Sequence, residues 1–297
     1  MICLELKTGK ILWQKWIDSD VMSAPVAVDD EIYATSFAGT VYKFKQNDGT
    51  IISAHRSRAT SAPVIVGADV FLTLRADNGK DEKCAEQIAG LDKGRGEQKF
   101  AGAKREAPYL DRETQARSVL GTNSVMLDKG NGFGGGAPAA ANPMAAGKNI
   151  GQMSVSSMQA FQGSRILNFK GNNYNCMGDE LVNTDPKDGK VHWRVKINGD
   201  LAKSGGHLAA PPAAAGGYLF LTTLEGEVLQ VDPEDGKLVK TYKVGAPARS
   251  QPAIVDGRIY VGTQDGKLVC IDTGNASFTG WVTWGANMAH TNLVEKK

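Results

Sequence analysis

KDGKVHW (Lys187 to Trp193) and EDGKLVK (Glu234 to Lys240) are two copies of a motif in which a glycine-led turn precedes a short strand. Three further copies are KTGKILW (Lys7 to Trp13), NDGTIIS (Asn47 to Ser53) and GRGEQKF (Gly94 to Phe100). The turn glycines of the five copies, called ladder glycines here, are Gly9, Gly49, Gly96, Gly189 and Gly236. They lie 40, 47, 93 and 47 residues apart, and the gap of 93 residues is about one period plus an insertion. Short strands repeating every 40 to 50 residues or so are typical of radially repeated sheets. The spacing therefore predicts an all-β fold, a β-propeller of four-stranded antiparallel blades.

The start of each repeat supports this prediction. A proline leads into a short apolar run in SAPVAV (Ser23 to Val28), SAPVIV (Ser61 to Val66), APPAAA (Ala210 to Ala215) and SQPAIV (Ser250 to Val255). Because proline lacks the amide that a ladder requires, it fits the first residue of a strand. The strands that follow alternate apolar and polar residues with the period of two of half-buried strands. Each repeat thus predicts one blade of four strands.

Counting these strands predicts about five to six blades. Four are complete, and they are flanked by a leading half-blade (Ile2 to Trp16) and a trailing three-stranded blade (Ser250 to Asp272). The two partial pieces could complement each other to close a ring. Alternatively, about two blades are missing from a ring of seven or eight, and we favour this second option because Met1 lies in the middle of a repeat. We expect residues 1–297 to form a single propeller domain.

Two parts of the chain are less regular. An insertion at about residues 101–157 contains a stretch rich in Gly, Ala and Pro (Gly130 to Asn149). Such a composition does not build a core, so it predicts a flexible surface loop, with a lid or partner-binding loop as the alternative. In the blade that contains Gly189, the pattern predicts a second strand around Arg165 to Phe169 and a third around Glu180 to Thr184.

Charge and hydropathy exclude several classes of partner. The net charge is +2, from 34 basic and 32 acidic residues, and there is no long basic run. Nucleic acid and anionic membrane surfaces are therefore not predicted as partners. No window approaches 18 consecutive apolar residues, so no transmembrane segment is predicted. The first ten residues do not form a signal peptide, since Glu5 interrupts them; we expect a native N-terminus that precedes them to carry any signal or membrane anchor.

The repeat unit, best preserved in Ser250 to Thr273 and Ala210 to Gly236, resembles the pyrroloquinoline-quinone (PQQ)-like propeller repeat. That repeat occurs in quinoprotein alcohol dehydrogenases and in BamB lipoproteins of the β-barrel assembly machinery. The resemblance implies that the tryptophan four residues after a ladder glycine docks on the neighbouring blade. Trp13 and Trp193 keep this position, whereas other residues, Ser53, Phe100 and Lys240, replace it elsewhere. Incomplete docking favours a divergent, scaffold-type member. The resemblance also implies that Trp281 and Trp284 cap the last blade.

A quinoprotein enzyme would need residues that this chain does not show. The resemblance implies a calcium ion held by Glu, Asn and Asp, an Asp base and, in many members, adjacent cysteines. The four cysteines, Cys3, Cys84, Cys176 and Cys270, are never adjacent, and no Asp-x-Asp-x-Asp pattern occurs. Hydrolase and P-loop motifs are missing as well. We therefore predict no catalytic residue, no metal ligand and no cofactor. The one weak candidate for a channel site is His207, which shortly precedes a first strand.

The positions of the cysteines indicate whether the protein works in an oxidising or a reducing compartment. Cys3 and Cys270 occupy equivalent third-strand positions, where we expect both thiols to be buried. Cys84 and Cys176 fall in second-to-third-strand segments of consecutive blades, eight and nine residues before Asp92 and Asp185. Equivalent loops of neighbouring blades lie close together, so a Cys84–Cys176 disulfide is predicted. Such a bond would indicate an oxidising compartment.

These observations favour a non-enzymatic protein that binds a protein partner through its loops or rim. The resemblance to BamB-type assembly factors implies a periplasmic or secreted location. The candidate contact loops are Arg75 to Glu86, the insertion, and Asn172 to Gly178. The alternative is a degenerate or genuine PQQ-dependent enzyme, or a propeller that binds a small molecule in its channel. A carbohydrate-binding propeller is a third hypothesis, which would need aromatic side chains exposed on one rim.

Overall fold

Short antiparallel sheets of consecutive strands make up the part of the protein that the computed structural model describes, residues 1–21, 24–36, 38–76, 85–106, 164–201 and 207–293. In each sheet consecutive strands are hydrogen-bonded in sequence order, except for the last short strand of one sheet, which pairs two strands back. This confirms the predicted all-β propeller of four-stranded blades. No helix in these ranges is long and apolar enough to cross a membrane.

Each sheet is one blade, or part of one. The half-blade is β1 (Ile2–Leu4) and β2 (Ile11–Gln14). Blade 1 is β3 (Val26–Val28), β4 (Glu31–Thr35), β5 (Thr40–Lys45) and β6 (Ile51–Arg56). Blade 2 is β7 (Val64–Val66), β8 (Asp69–Arg75), β9 (Ala85–Asp92) and β10 (Gln98–Ala101), with β11 (Arg105–Glu106) also paired to β9. Blade 3 is β12 (Leu167–Phe169), β13 (Asn172–Met177), β14 (Glu180–Thr184) and β15 (Val191–Lys196). Blade 4 is β16 (Ala213–Ala215), β17 (Tyr218–Thr222), β18 (Glu227–Val231) and β19 (Leu238–Lys243). Blade 5 is β20 (Ala253–Val255), β21 (Arg258–Gly262) and β22 (Leu268–Asp272).

Proline marks the start of the first strand in four blades. One proline directly precedes each of β3, β7, β16 and β20; these residues are Pro25, Pro63, Pro212 and Pro252. Their missing amides fall where no ladder bond is required, as predicted. The first strands are short and mostly buried, and Ala213–Ala215 of blade 4 is buried at every residue. Small side chains suit this position because the first strands converge on the propeller axis.

In blade 3 the segment that the sequence predicted as the second strand is the first strand. Leu167–Phe169 is its first strand, and Asn172–Met177, which we expected to be a contact loop, is its buried second strand. The sequence did not predict β13 as a buried strand because its residues are polar. Their side chains form hydrogen bonds inside the fold. Asn173 accepts a 2.7 Å bond from the Asn168 side chain on β12. Asn175 accepts a bond from Arg105 at 3.4 Å, which joins blade 3 to blade 2.

A single contact recurs between consecutive blades. A side chain on the last strand of one blade lies against the ladder glycine of the next; the four pairs are Trp13–Gly49, His55–Gly96, Phe100–Gly189 and Trp193–Gly236. The contacted glycines have φ between 67° and 77°, a conformation that favours glycine, and a Cβ there would collide with the docked ring. Each glycine thus allows the turn and also leaves room for the ring.

The docking is more complete than the sequence predicted. Phe100 docks in place of tryptophan, and His55, two residues beyond Ser53, docks where we expected a gap. The two tryptophans also satisfy their indole N–H groups. Trp13 Nε1 donates to the carbonyl of Gln46 at 2.9 Å, and Trp193 Nε1 donates to the carbonyl of Pro233 at 3.2 Å. These two acceptors occupy equivalent positions, three residues before a ladder glycine.

The two partial pieces form separate sheets, so among the described strands they do not complete one blade together. Trp13 of the half-blade stacks on Phe44 of blade 1, with ring centroids 6.2 Å apart. The outer strand of blade 5 is much less covered, and Leu268 on β22 is 74% exposed. Blade 5 therefore presents an open edge and an apolar surface.

Candidate functional site

The segment Thr279–Leu293, called the axial segment here, touches the first strands of three blades. The amide of Ala27 on β3 donates to the carbonyl of Ala289 at 2.9 Å. Trp281 and Ile254 on β20 exchange two backbone hydrogen bonds, and Leu293 forms a parallel bridge with Asn168 on β12. Because first strands surround the axis of a propeller, the axial segment occupies that axis.

Two buried amide side chains fix the axial segment to the blades. Gln251, just before β20, accepts a 3.0 Å bond from the amide of Gly285 and donates one of 3.0 Å to the carbonyl of Pro212. It also donates to Asn292 Oδ1 at 3.3 Å, and Asn292 Nδ2 donates to the carbonyl of Ile166. Buried polar groups that are this fully bonded hold a single arrangement of the chain. The network connects blades 3, 4 and 5 to the axial segment.

Arg165 lies fully buried beside this network, two residues before β12. Its guanidinium carbon is 4.2 Å from the centre of the Trp284 ring, and its Nη2 donates to the carbonyl of His290. Burial lowers the pKa of Arg165 to about 9, so the side chain remains a cation at pH 7. Trp284 therefore does not cap the last blade as expected, because it stacks on blade 3; Trp281 does lie against blade 5.

His207 is buried between blades 3 and 4. The next residue, Leu208, donates its amide to Gly178 at 3.0 Å and accepts a bond from Leu224 at 3.0 Å. Gly178 and Leu224 belong to the turns that join the second and third strands of these blades. Burial, with the nearby positive charge of Arg249, lowers the pKa of His207 to about 4. The imidazole is therefore neutral at pH 7, and its role in a channel site stays a prediction.

A cluster of buried hydroxyl groups around a carboxylate was missed by the sequence analysis. Thr60 donates to the Glu86 carboxylate and lies 2.9 Å from the Thr73 hydroxyl. Thr73 in turn is 3.1 Å from the hydroxyl of Ser164, which joins blade 2 to blade 3. Thr60, Thr73 and Glu86 are 0% exposed. The only sequence signal was a Thr-Ser pair directly before the Ala-Pro entry of blade 2.

The cysteines differ from the prediction. Cys270 on β22 is exposed and Cys3 is partly buried, because none of the described strands covers the outer edge of blade 5 and the half-blade has two strands. Cys176 lies inside β13, where burial raises its pKa. Cys84 falls outside the described residues, so the Cys84–Cys176 disulfide stays a prediction. Most of the loop Arg75 to Glu86 and of the insertion also lies outside the described residues.

A groove of about 280 Å³ runs between blades 3 and 4 on the side away from the axis. Its floor is aliphatic, with Val195 and Ile197 from one blade and Leu229 and Leu238 from the other. The groove reaches Gly236, so the docked ring of Trp193 does not close the whole interface between blades 3 and 4.

Trp281 and Asn292 of the axial segment are fully buried. Beside them lies a buried cation, Arg165, which would repel Ca²⁺. Among the described residues, no group of three or more His, Cys, Asp and Glu side chains is placed to hold a metal ion.

Comparison with known proteins supports the fold. A family model described as outer membrane protein assembly factor BamB matches residues 1–66 and 177–293. No curated protein matches the chain. The computationally designed Ika8 protein is 12% identical with a TM-score of 0.54, over 89% of this chain and 62% of that one. BamB from Moraxella catarrhalis is 13% identical (TM-score 0.46, 91% and 77% covered), and a europium-containing methanol dehydrogenase is 12% identical (TM-score 0.47, 91% and 50% covered). At these identities, the likeness to Ika8 concerns the fold alone.

Proposed function

The chain belongs to the family of PQQ-like β-propellers described as outer membrane protein assembly factor BamB, and we propose that it is a non-enzymatic, extracytoplasmic scaffold that binds a protein partner. The observation that carries this proposal is the axial segment. A propeller enzyme needs its axis for substrate and cofactor, whereas here Trp281, Trp284 and Asn292 take up that space. The surface that remains for binding is the outside of the blades.

The outer surface offers features that suit a protein partner. Among the described strands none pairs with the outer edge of β22, so the backbone groups of this edge suit pairing with an extended segment of a partner. Leu268 on this edge and Met288 on the axial segment are 74% and 86% exposed. Blade 5 is held by the two backbone hydrogen bonds between Ile254 and Trp281, and an edge that is fixed before binding lowers the entropic cost of binding. The family likeness supports an extracytoplasmic location for this interaction.

The first experiment tests the axis. Purified protein is mixed with PQQ and Ca²⁺, and absorbance, metal content and dye reduction with alcohols or sugars are recorded. We expect no stoichiometric uptake and no dye reduction. Uptake of one equivalent together with turnover would overturn the scaffold proposal and make the protein an enzyme.

The second experiment tests the surface. Wild type, Leu268→Arg and a control, Lys190→Glu, are used as baits for envelope proteins of the source organism. The control changes charge at an exposed ladder turn far from β22. We expect a partner that wild type and control retain and Leu268→Arg loses. Equal capture by all three baits would exclude the β22 edge as the contact surface.

A further inference from the structure

Arg165 carries hydrogen-bond donors that its surroundings leave unused. The side chain is 0% exposed, and Nη2 donates to the carbonyl of His290. The other two nitrogens, Nε and Nη1, are buried and find no acceptor among the described residues. Donors in this state are rare in folded proteins because they lose water without gaining a partner.

The charge of Arg165 also has no counter-charge among the described residues. Within that part of the chain, burial lowers its pKa and no carboxylate acts on it. A buried cation is normally paired, since removing an ion from water is costly unless an opposite charge replaces the solvent. The ring of Trp284 covers one face of the guanidinium and supplies only part of this compensation.

Trp284 contributes a donor of its own. Its Nε1 is buried and has no acceptor within the described part of the chain. Arg165 and Trp284 stack at 4.2 Å, so the unused N–H groups of both side chains belong to one small region of the axis. An indole N–H and a guanidinium can only donate. A group that satisfies them must therefore accept hydrogen bonds and carry negative charge.

We propose that Arg165 and Trp284 form a binding site for a small monovalent anion, either a halide or a simple carboxylate. The region also depends on a glycine, since a Cβ on Gly285 would stand 2.9 Å from Arg165 Nη1. The anion binds between blade 3, which supplies Arg165, and the axial segment, which supplies Trp284 and Gly285. It therefore tightens the attachment of the axial segment to the blades.

Thermal unfolding tests the site at constant ionic strength. Gluconate, a much larger anion than chloride or acetate, is replaced stepwise by chloride in one series and by acetate in another. In wild type we expect a saturable rise of several degrees in Tm with the anion that binds, and the two series distinguish a halide from a carboxylate. Arg165→Met should lose this response. It should also be at least as stable as wild type in gluconate, because an apolar side chain removes the uncompensated charge.

Arg249→Met is the matched control, since Arg249 is a partly buried arginine between blades 4 and 5, and it should keep the anion response. A second measurement does not depend on any variant. Wild-type crystals soaked in bromide should show an anomalous peak within hydrogen-bond distance of Arg165. Equal responses of wild type and Arg165→Met would overturn the proposal, and so would the absence of a bromide peak at Arg165 together with the absence of a response to acetate.

Discussion

The indole of Trp193 lies directly over Gly236 of the next blade, with its Cε3 atom 2.8 Å from the point where a Cβ on Gly236 would stand. No side chain larger than hydrogen fits between this ring and the turn. The indole N–H is used as well, through its bond to the carbonyl of Pro233. One glycine therefore sets both the shape of its own turn and the distance between two blades.

Gly236→Ala should destabilise the protein by about 2–5 kcal/mol. A left-handed backbone costs an alanine about 1–2 kcal/mol, and the collision with Trp193 adds about 1–3 kcal/mol. The matched control is Gly274→Ala, where φ is 73° and no atom lies within 4 Å of the added Cβ. Urea denaturation should show only the backbone cost for the control. Equal losses in both variants would mean that the docked ring contributes nothing.

His55→Ala should cost about 1–2 kcal/mol, because the imidazole is the ring that docks on Gly96. Ser53→Ala, at the position where the repeat pattern expects the docking residue, should change stability by less than about 0.5 kcal/mol. Chemical denaturation at pH 8 measures the two effects. A larger loss in Ser53→Ala than in His55→Ala would reverse this assignment.

His207 should make the protein sensitive to acid. Its pKa is about 4 when folded and 6.5 in the unfolded chain, so below pH 6.5 the unfolded state binds more protons. The contribution is fully present above pH 6.5 and falls by up to about 3 kcal/mol as the pH approaches 4. Unfolding free energies of wild type and His207→Gln, measured from pH 8 to pH 4, should therefore converge as the pH falls.

The exposed His192 provides the control for this titration. His192→Gln keeps the buried His207, so it should still lose stability as the pH falls from 6.5 towards 4. A His207→Gln protein that loses stability between pH 6.5 and pH 4 as steeply as wild type would show that other groups cause the acid sensitivity.

Cysteine labelling should distinguish the thiols. In folded protein we expect maleimide to modify Cys270 rapidly and Cys176 not at all, because Cys270 is exposed and Cys176 is buried in β13. Peptide mapping by mass spectrometry reads each site separately. Labelling of unfolded protein with and without reductant then tests the predicted disulfide, since a bonded Cys176 reacts only after reduction. Rapid labelling of Cys176 in the folded state would contradict the buried strand.

Gln251→Leu should release the axial segment. The change leaves the amide of Gly285 without its acceptor, and a buried group in that state costs about 1–3 kcal/mol. Limited proteolysis should then cut within Thr279–Leu293 faster than in wild type. Gln264→Leu, at an exposed position in the turn region of blade 5, should leave the cleavage rate unchanged. Unchanged cleavage in Gln251→Leu would show that other contacts hold the segment.

The features that could be predicted from sequence are those that a few neighbouring residues determine. Ladder glycines were recognisable because the turn itself needs a positive φ, and prolines because a strand's first amide can be missing. The aspartates of these turns could likewise be predicted to cap nearby amides, as Asp235 does for Lys237. In each case the physical reason lies within about five residues.

The features that the sequence did not reveal depend on partners far along the chain. The polar strand β13 is stable because Arg105 and Asn168 bond to its asparagines. The position of Trp284 in the axial segment depends on Arg165, which precedes the first strand of blade 3, and no local pattern links these two residues. His55, and not Ser53, docks on Gly96, because the docking side chain depends on the geometry of the next blade and not on the repeat spacing.

The axial segment also determines when folding can be completed during synthesis. Blades touch mainly their neighbours and can form one after another as the chain leaves the ribosome. The contact between His290 and Pro25 instead spans 265 residues, so blade 1 waits for the axial segment until all five blades have been made. Contacts of such sequence separation slow the last stage of folding. Until then the first strand of blade 1 lacks its contacts with the axial segment.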